Sequence, residues 1–414
     1  MIHVFINVLV QGASAVRYLD LTSPSEAMDV LKEIGVDPYG IQAMVPKMCT
    51  LNVVVRGIKC KVANIMKQEM LSIGGDVAVS RGTVACSIDR TDAVIIGTNK
   101  QMRRFAEKIS LQPFGLQRLS ENLQTVMRNI ERQDFIIKTP ERTLTLGGHT
   151  AIMGILNMTP DSFSDGSRFN NLKEAVACAE QMEEDGADII DIGGESTRPG
   201  ADPVTVEEEL ARVIPIIREV KRRVRIPISI DTTKAEVAHQ AINEGAEIVN
   251  DISAMQFDAR MSSVIAREGV PIALMHMRGI PKTMQEGDIA YRLFMDDIID
   301  FLQNRIHVAR TAGIREENII VDPGFGFGKT MEHNLQLLRH LNELKALGRP
   351  ILVGTSRKKF IGSITGGEPQ ERLDGTAATV AASIMNGARI VRVHDVKFMK
   401  NVARMTDAIV RVPG

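Results

Sequence analysis

The 414-residue chain contains no tryptophan, and only 4% of its residues are aromatic. This scarcity argues against a protein that stacks nucleic-acid bases on aromatic side chains. The formal net charge of −1 argues against a basic surface for nucleic acids or anionic membranes. We therefore expect neither a nucleic acid nor a membrane among the partners.

The chain has only four cysteines, at positions 49, 60, 86 and 178, and no CxxC pair. This pattern fits reduced thiols in a cytoplasmic protein better than a disulfide or zinc framework. The apolar run at 2–10 is too short to span a membrane. It also lacks the basic start and the small-residue cleavage site of a signal peptide. We interpret residues 4–10 as a strand and expect the protein in the cytoplasm.

The first part of the chain mixes strand and helix patterns and contains no catalytic constellation. We predict strands at 49–56, 78–81, 83–88 and 93–97, and helices at 25–34, 62–72, 99–110 and 115–132. Residues 135–148 read as a short hairpin interrupted at Pro140. We assign residues 1–146 to a smaller N-terminal α/β domain of unknown role.

From residue 151 onward, short apolar strands alternate with helices in eight regular units. The predicted strands lie at 151–156, 188–192, 227–230, 247–249, 271–275, 319–321, 350–353 and 390–393. Strands that are apolar throughout are typical of parallel sheets buried on both faces. Eight such units predict an α/β fold with a (β/α)8 TIM barrel over 147–414, with a doubly wound sheet as the alternative.

In a TIM barrel, ligands bind where the strands end at their carboxyl termini. Almost every predicted strand ends in a polar or charged group: Asn157, residues 195–198, Asp231, Asn250, His276, Asp322, residues 354–358, Arg392 and His394. Single members of this set could be helix caps, Asp231 above all. Helix capping does not explain why Arg, Lys and His also lie at these strand ends, so we predict a binding site at the carboxyl ends of the strands.

Two kinds of chemistry separate among these residues. Asp231, Asn250 and Asp322 offer carboxylates and an amide, which suit the polar edge of a pterin or guanine ring. The groups that are or can become cationic suit a diphosphate: Arg198, Lys358, Arg392 and His394. Asn157 offers an oxygen ligand to a hard cation such as Mg²⁺. A ring substrate activated as a diphosphate ester would use both sets of residues. Loss of the diphosphate would leave an electrophilic carbon for an amine to attack.

Eight stretches, in this order, resemble the dihydropteroate synthase family. They read GILNMTPDSFSDG (154–166), GGESTRPG (193–200), SIDTT (229–233), NDI (250–252), LMHM (274–277), DPGFGFG (322–328), GTSRK (354–358) and RVHD (392–395). The resemblance covers about 147–414. It implies a Mg²⁺-dependent TIM-barrel transferase in folate biosynthesis, commonly a homodimer and a sulfonamide target. Its reaction joins 6-hydroxymethyl-7,8-dihydropterin diphosphate to 4-aminobenzoate and yields 7,8-dihydropteroate and diphosphate.

The resemblance also implies roles for single positions. The implied pterin contacts are Asp231, Asn250, Asp322 and Lys358, with Met275 and Gly354 lining the slot. The implied diphosphate contacts are Thr197, Arg392 and His394, and the implied Mg²⁺ ligand is Asn157. The implied aminobenzoate pocket contains Phe163, Phe327, Arg198 and Pro199. Of these we expect Asp231, Lys358, Arg392 and His394 to be catalytic.

Two other functions are compatible with part of this pattern. A pterin-binding methyltransferase that moves a methyl group from methyltetrahydrofolate to a corrinoid would share the barrel and the Asp/Asn pterin contacts. It would not need the cluster of Thr197, Arg198, Lys358, Arg392 and His394. A non-enzymatic folate-binding scaffold is the second alternative, and the intact set of site residues argues against it.

Overall fold

The computed structural model describes residues 18–21, 23–158, 168–197 and 200–411. Within these residues the chain divides into two compact units, one up to residue 125 and the other over residues 126–411. The strand that we predict at 4–10 lies outside the described residues. No helix in the described ranges combines the length and the apolar composition needed to cross a membrane.

The first unit is a small α/β unit, as predicted. Its elements are α1 (Pro24–Glu33), α2 (Pro38–Met48), β1 (Thr50–Lys59), α3 (Cys60–Leu71), β2 (Asp76–Val79), β3 (Arg90–Thr98) and α4 (Asn99–Ser110), followed by the start of α5 (Leu116–Glu131). The strands form an antiparallel sheet in the order β1-β3-β2. Thr98 and Gln101 form a capping box that starts α4.

Two local predictions in this unit are wrong. Residues 83–88, predicted as a strand for their β-branched residues, form turns in which Cys86 has a φ of +49°. Helix α2 was not predicted because Gly40 and Pro46 lie within it. It begins because Asp37 accepts the Gly40 N–H at 3.0 Å and because proline suits the first helical position.

The second unit is a TIM barrel preceded by a hairpin, which confirms the predicted fold. The hairpin strands are β4 (Phe135–Lys138) and β5 (Thr143–Leu146). The barrel strands are β6 (Ala151–Asn157), β7 (Ile189–Gly193), β8 (Ile228–Asp231), β9 (Ile248–Asp251), β10 (Ile272–Met275), β11 (Ile319–Asp322), β12 (Leu352–Val353) and β13 (Ile390–Val393). They pair in parallel in the order β11-β10-β9-β8-β7-β6-β13-β12. A parallel bridge between Val321 and Ile351 joins the two ends of this series.

Helices follow the strands and bury one apolar face each. They are α6 (Arg168–Glu184), α7 (Val206–Arg223), α8 (Ala235–Asn243), α9 (Met261–Glu268), α10 (Phe294–Thr311), α11 (Met331–Arg339), α12 (Lys359–Thr365), α13 (Leu373–Met385) and α14 (Val396–Arg411). On α7, for example, Val213, Ile217 and Val220 recur at helical spacing and are fully buried. They join the large apolar cluster between the strands and the helices.

The hairpin packs against the end of the barrel where the strands begin. Phe135, Ile137 and Leu146 share a buried cluster with the first residues of several strands, among them Ile189 and Ile390. The carboxyl ends of the strands, where the predicted site lies, are at the opposite end. The compact unit therefore starts earlier than the 147 boundary that we expect from the sequence, because the hairpin shares the apolar core of the barrel.

Candidate active site

The predicted ligand residues come together at the carboxyl ends of the barrel strands. Asn157 is the last residue of β6, Asp231 of β8 and Asp322 of β11. Asn250 is next to last in β9, and Arg392 is third in β13. Catalytic groups of TIM barrels lie on this face. The barrel thus brings residues that are up to 235 positions apart in sequence to one rim.

Arg392 is the centre of a hydrogen-bonded network between strands. Its Nε donates to Asp191 Oδ2 and its Nη2 donates to Asp231 Oδ2, each at 2.6 Å. Asn250 Nδ2 donates to the same Asp191 oxygen at 3.1 Å. The resemblance implies a diphosphate contact for Arg392, and in this structure two of its nitrogens are bound to carboxylates.

The environment of Asp231 favours its protonated form. Burial is the main reason that the pKa of Asp231 rises to about 7. The Arg392 guanidinium opposes this rise, and the carboxylates of Asp191, Glu209 and Asp251 add to it. A carboxyl group with such a pKa changes its charge near neutral pH, which is a property common among groups in functional sites.

The loop after β11 holds Asp322 in place. The Gly324 N–H donates to Asp322 Oδ1 at 2.7 Å, and burial raises the pKa of Asp322 to about 6. Gly324, Gly326 and Gly328 have φ values of +70°, +79° and +63°, in the left-handed region that favours glycine. A Cβ atom on Gly324 would lie 2.0 Å from the His276 carbonyl oxygen. The alternating glycines are therefore required by the path of this loop.

Lys358 and Phe327 face each other across the mouth of the barrel. Lys358 Nζ lies 4.2 Å from the centre of the Phe327 ring, within the range of a cation–π contact. Burial, followed by the charge of Arg392, lowers the pKa of Lys358 to about 8. Gly354 follows β12, and a Cβ there would lie 3.8 Å from Arg392 Cβ. Phe327 also belongs to a buried apolar cluster with Ile252, Met275, Met277 and Met284.

His394 contacts Ser356 through both its backbone and its ring. The backbone N–H of His394 donates to Ser356 Oγ at 3.3 Å, and that hydroxyl lies 3.0 Å from His394 Nδ1. A Ser356 hydroxyl that donates to Nδ1 would leave the ring hydrogen on Nε2. Burial, followed by the charges of Arg357 and Arg392, lowers the pKa of His394 to about 3. His394 is therefore neutral at pH 7, where the sequence suggested a possible cation.

Asn157 and Asp231 lie on either side of Gly193. A Cβ atom built on Gly193 would lie 3.4 Å from Asp231 Cβ and 3.7 Å from Asn157 Oδ1. The absence of a side chain at Gly193 therefore leaves room beside the Asn157 oxygen at the rim. A single amide oxygen with space around it fits Mg²⁺, which keeps several waters and takes its other ligands from substrate phosphates.

A cleft of about 240 Å³ opens from Asp231 along the rim. Its lining includes the predicted residue Thr197 together with Glu195, Ser196, Ala201, Pro203, Asp231, Thr232, Thr233, Lys234, Ile252, Phe257, Ile280, Pro281 and Lys282. Three predicted residues of the aminobenzoate pocket lie outside the described residues: Phe163, Arg198 and Pro199. The same holds for Asp161 and Asp165, which lie in the stretch 154–166 and for which the resemblance implies a part in ordering Mg²⁺ and diphosphate.

Residues 153–394 match a protein family described as "Pterin binding enzyme". Over 270 residues the chain is 51% identical to the dihydropteroate synthase of Synechocystis sp. (strain ATCC 27184 / PCC 6803 / Kazusa), covering 64% of this chain and 92% of that protein. The chain belongs to the dihydropteroate synthase family. The prediction made from the eight sequence stretches is thereby confirmed.

A solved structure of a family member matches the barrel as well. It is a Xanthomonas albilineans dihydropteroate synthase with 4-aminobenzoic acid, at 42% identity and a TM-score of 0.64. The match covers 68% of this chain and 100% of that one. A third relative, a probable bifunctional folylpolyglutamate synthase/dihydropteroate synthase of Halobacterium salinarum, is 41% identical over 392 residues. It covers 94% of this chain, and this chain spans 46% of it.

Four polar residues of this dihydropteroate synthase family member were not predicted from the sequence: Lys329, Lys234, Glu209 and Asp191. Lys329 Nζ lies 2.9 Å from Nδ1 of the predicted residue His276, and Lys234 Nζ donates to Glu209 Oε2 at 2.5 Å. Asp191 is fully buried and binds both Arg392 and Asn250. Of these residues, only Asp191 could have been found from the sequence, because it is a single carboxylate within the otherwise apolar strand β7.

Proposed function

We propose that the chain condenses 6-hydroxymethyl-7,8-dihydropterin diphosphate with 4-aminobenzoate to form 7,8-dihydropteroate and diphosphate. Membership of the dihydropteroate synthase family carries this activity. The single structural observation in its favour is the convergence of Asp231, Asn250, Asp322 and Lys358 with the Arg392 network at one barrel mouth. These residues offer a set of acceptors for ring N–H groups beside donors for an anion.

In the proposed complex, the pterin ring lies between the carboxylates and the Lys358–Phe327 pair. Asp231 and Asp322 each have one oxygen already bonded, to Arg392 and to the Gly324 N–H. The other oxygen of each carboxylate accepts from the ring. Both pKa values lie near or just below neutral, so the ring N–H donors favour the ionised forms when they bind.

The proposed reaction breaks the bond between the pterin methylene carbon and the diphosphate oxygen before the amine attacks. The new bond joins that carbon to the amine nitrogen, which then loses one proton to solvent. His394 Nε2–H and the protonated Lys358 are donors for the leaving oxygens. An aromatic amine is neutral at pH 7, so a strong general base is not required.

We propose that Asn157 holds Mg²⁺ together with diphosphate oxygens. When bound, the ion supplies positive charge to the departing diphosphate. The Asn157 oxygen beside Gly193 supports this assignment. Asn157→Ala should raise the Mg²⁺ concentration needed for half-maximal activity, with unchanged binding of the pterin alcohol. An unchanged Mg²⁺ requirement would remove Asn157 from the ion site.

We propose a homodimer that forms through the last two helices of the barrel. Helices α13 and α14 expose a group of large apolar side chains: Met385 at 60%, Phe398 at 43%, Met405 at 64% and Ile409 at 54%. Exposed apolar side chains grouped on adjacent helices are typical of protein–protein interfaces. We also propose a cytoplasmic location, supported by the four free cysteines.

The proposed activity is tested by diphosphate release. The purified protein is incubated with the dihydropterin diphosphate and Mg²⁺, with and without 4-aminobenzoate. Release that depends on the amine, with dihydropteroate as product, is the expected result, and Asp231→Asn should nearly abolish it. Asp300→Asn removes an exposed carboxylate on α10 and serves as the control. Binding of the pterin without release would favour the scaffold alternative.

A further inference from the structure

Asp191 is a fully buried carboxylate inside the barrel for which the sequence suggested no role. It is the third residue of β7 and lies in register with Ile155 of β6 and Ser229 of β8. The other residues of β7 are apolar or glycine. Placing a carboxylate in such a strand costs free energy unless the group is paired. Its contacts therefore need an explanation.

Asp191 makes contact with two of the predicted site residues through one oxygen. Oδ2 accepts from Arg392 Nε at 2.6 Å and from Asn250 Nδ2 at 3.1 Å. An oxygen that forms an ion pair with a guanidinium can only accept, so the Asn250 amide must turn its nitrogen toward Asp191. The amide oxygen of Asn250 then faces away from Asp191 and is free to accept from a ligand.

We propose that Asp191 is a positioning residue that fixes the orientation of the Asn250 amide, so that Asn250 acts toward the pterin ring as a hydrogen-bond acceptor. This inference rests on the proposed function, because it takes Asn250 as a pterin contact. A freely rotating amide would offer its N–H₂ group to the ring as often as its oxygen. The fixed amide selects ligands that present an N–H at that point.

A second observation separates this role from simple stabilisation of the barrel. Asp191 Oδ1 is buried and has no hydrogen-bond partner among the described residues, and the same holds for the hydroxyl of the neighbouring Ser229. A buried acceptor without a partner destabilises the fold, so an apolar residue would serve the core better. A carboxylate kept at this cost is better explained by what it does to Asn250 and Arg392.

Two substitutions separate the effect of the Asp191 acceptor oxygen from the effect of its negative charge. Asp191→Asn keeps one oxygen, which the Arg392 guanidinium draws into the Oδ2 position, so the Asn250 amide keeps its orientation. Asp191→Leu has a similar volume and removes the acceptor. The Arg392–Asp231 hydrogen bond does not involve Asp191, so we expect it to remain in both variants. We expect Asp191→Asn to bind the pterin within about threefold of the unmodified protein and Asp191→Leu about 30-fold more weakly.

The experiment measures the dissociation constant of 6-hydroxymethyl-7,8-dihydropterin by calorimetry, with both substitutions made alone and in an Asn250→Leu background. The unmodified protein is measured first, and its failure to bind would refute the proposed function rather than the role of Asp191. In the Asn250→Leu background, Asp191→Leu should raise the dissociation constant of the pterin less than about threefold, because no amide remains to be oriented. The KM for the dihydropterin diphosphate should rise in Asp191→Leu while the KM for 4-aminobenzoate stays constant.

A purely structural Asp191 would give a different result. Its effects would multiply with those of Asn250→Leu, and both KM values would change together. Equal losses in Asp191→Asn and Asp191→Leu would show that the charge matters and would overturn the proposal. If Asp191→Leu does not fold, the cycle is run with Asp191→Ala. If Asp191→Ala weakens pterin binding as much in the Asn250→Leu background as in the unmodified protein, the proposal is overturned.

Discussion

Pterin binding should weaken as the pH falls from 7.5 to 6, because Asp231 and Asp322 take up protons in the ligand-free protein. Burial raises their pKa values to about 7 and about 6. One oxygen of each group is already bonded, and the other can accept a ring N–H only when it carries no proton, so binding requires that both carboxyl groups are ionised. The sign follows from linkage: a ligand that binds the ionised form releases protons and binds more tightly as the pH rises.

The magnitude follows from the two pKa values. The fraction of protein with both carboxyl groups ionised is about 15-fold smaller at pH 6 than at pH 7.5. The affinity for a pterin should fall by the same factor, which corresponds to about 1.6 kcal/mol. The upper limit of pH 7.5 keeps Lys358 mostly protonated, since its pKa is about 8. Four further charged groups act on Asp231: Arg392, Asp191, Glu209 and Asp251. Burial raises the pKa of Asp251 to about 6, so Asp251 also takes up protons toward the lower end of this range.

The assay is calorimetric titration with the pterin alcohol, which carries no diphosphate that could titrate in this range. Measurements in two buffers of different ionisation enthalpy also give the number of protons released. At pH 6.5 we expect about one proton per pterin bound. Asp231→Asn should bind more weakly and keep only the part of the pH dependence that belongs to Asp322, about twofold over the same range.

Two results would refute the reasoning. The first is an affinity for the pterin alcohol that does not change between pH 6 and 7.5 in the unmodified protein. The second is a pH dependence of the same size in Asp231→Asn, which would assign the titration to another group. Either result would mean that the ring does not require two ionised carboxylates.

Three further predictions concern the loop, the rim and the dimer. Gly324→Ala should lower turnover at least about 100-fold, because its Cβ would lie 2.0 Å from a backbone oxygen. The control Gly269→Ala, at φ +70° and ψ +17° with no atom closer than 3.9 Å, should leave turnover within about twofold and cost about 1 kcal/mol of unfolding free energy in a denaturant titration. Lys358→Met should lower kcat/KM for the pterin diphosphate about 100-fold, while Lys359→Met, which changes an exposed neighbour, should leave it within about twofold. Met405→Glu should convert a dimer to monomers in light scattering, and an unchanged mass would place the interface elsewhere.

The fold was predictable because the strand–helix alternation and the polar strand ends both follow from the chain order. Parallel strands align their carboxyl ends, so Asn157, Asp231 and Asp322 had to share a rim once the barrel was inferred. The turn at 83–88 was not predictable from composition, because its residues have strand propensity and the competing conformation depends on Cys86 at positive φ.

The contacts inside the site were less predictable than its location. Nothing in the spacing of Lys329 and His276, 53 positions apart, indicates that their side chains lie 2.9 Å from each other. The hydrogen bonds from Arg392 to Asp191 and Asp231 likewise depend on the directions of side chains on three strands. The charge state of His394 depends on burial, which the sequence does not show and which lowers its pKa to about 3.

The hairpin of β4 and β5 determines where a shortened gene for the catalytic unit should begin. The family motifs start after residue 150, so a coding sequence trimmed to 147 would keep all of them. It would remove Phe135, Ile137 and Leu146. The apolar side chains of Ile189 and Ile390, at the end of the barrel where the strands begin, would then be exposed to solvent. Such a fragment should aggregate on expression. A version that starts between α5 and β4 keeps the hairpin on the barrel and is the better choice for crystallisation and inhibitor screening.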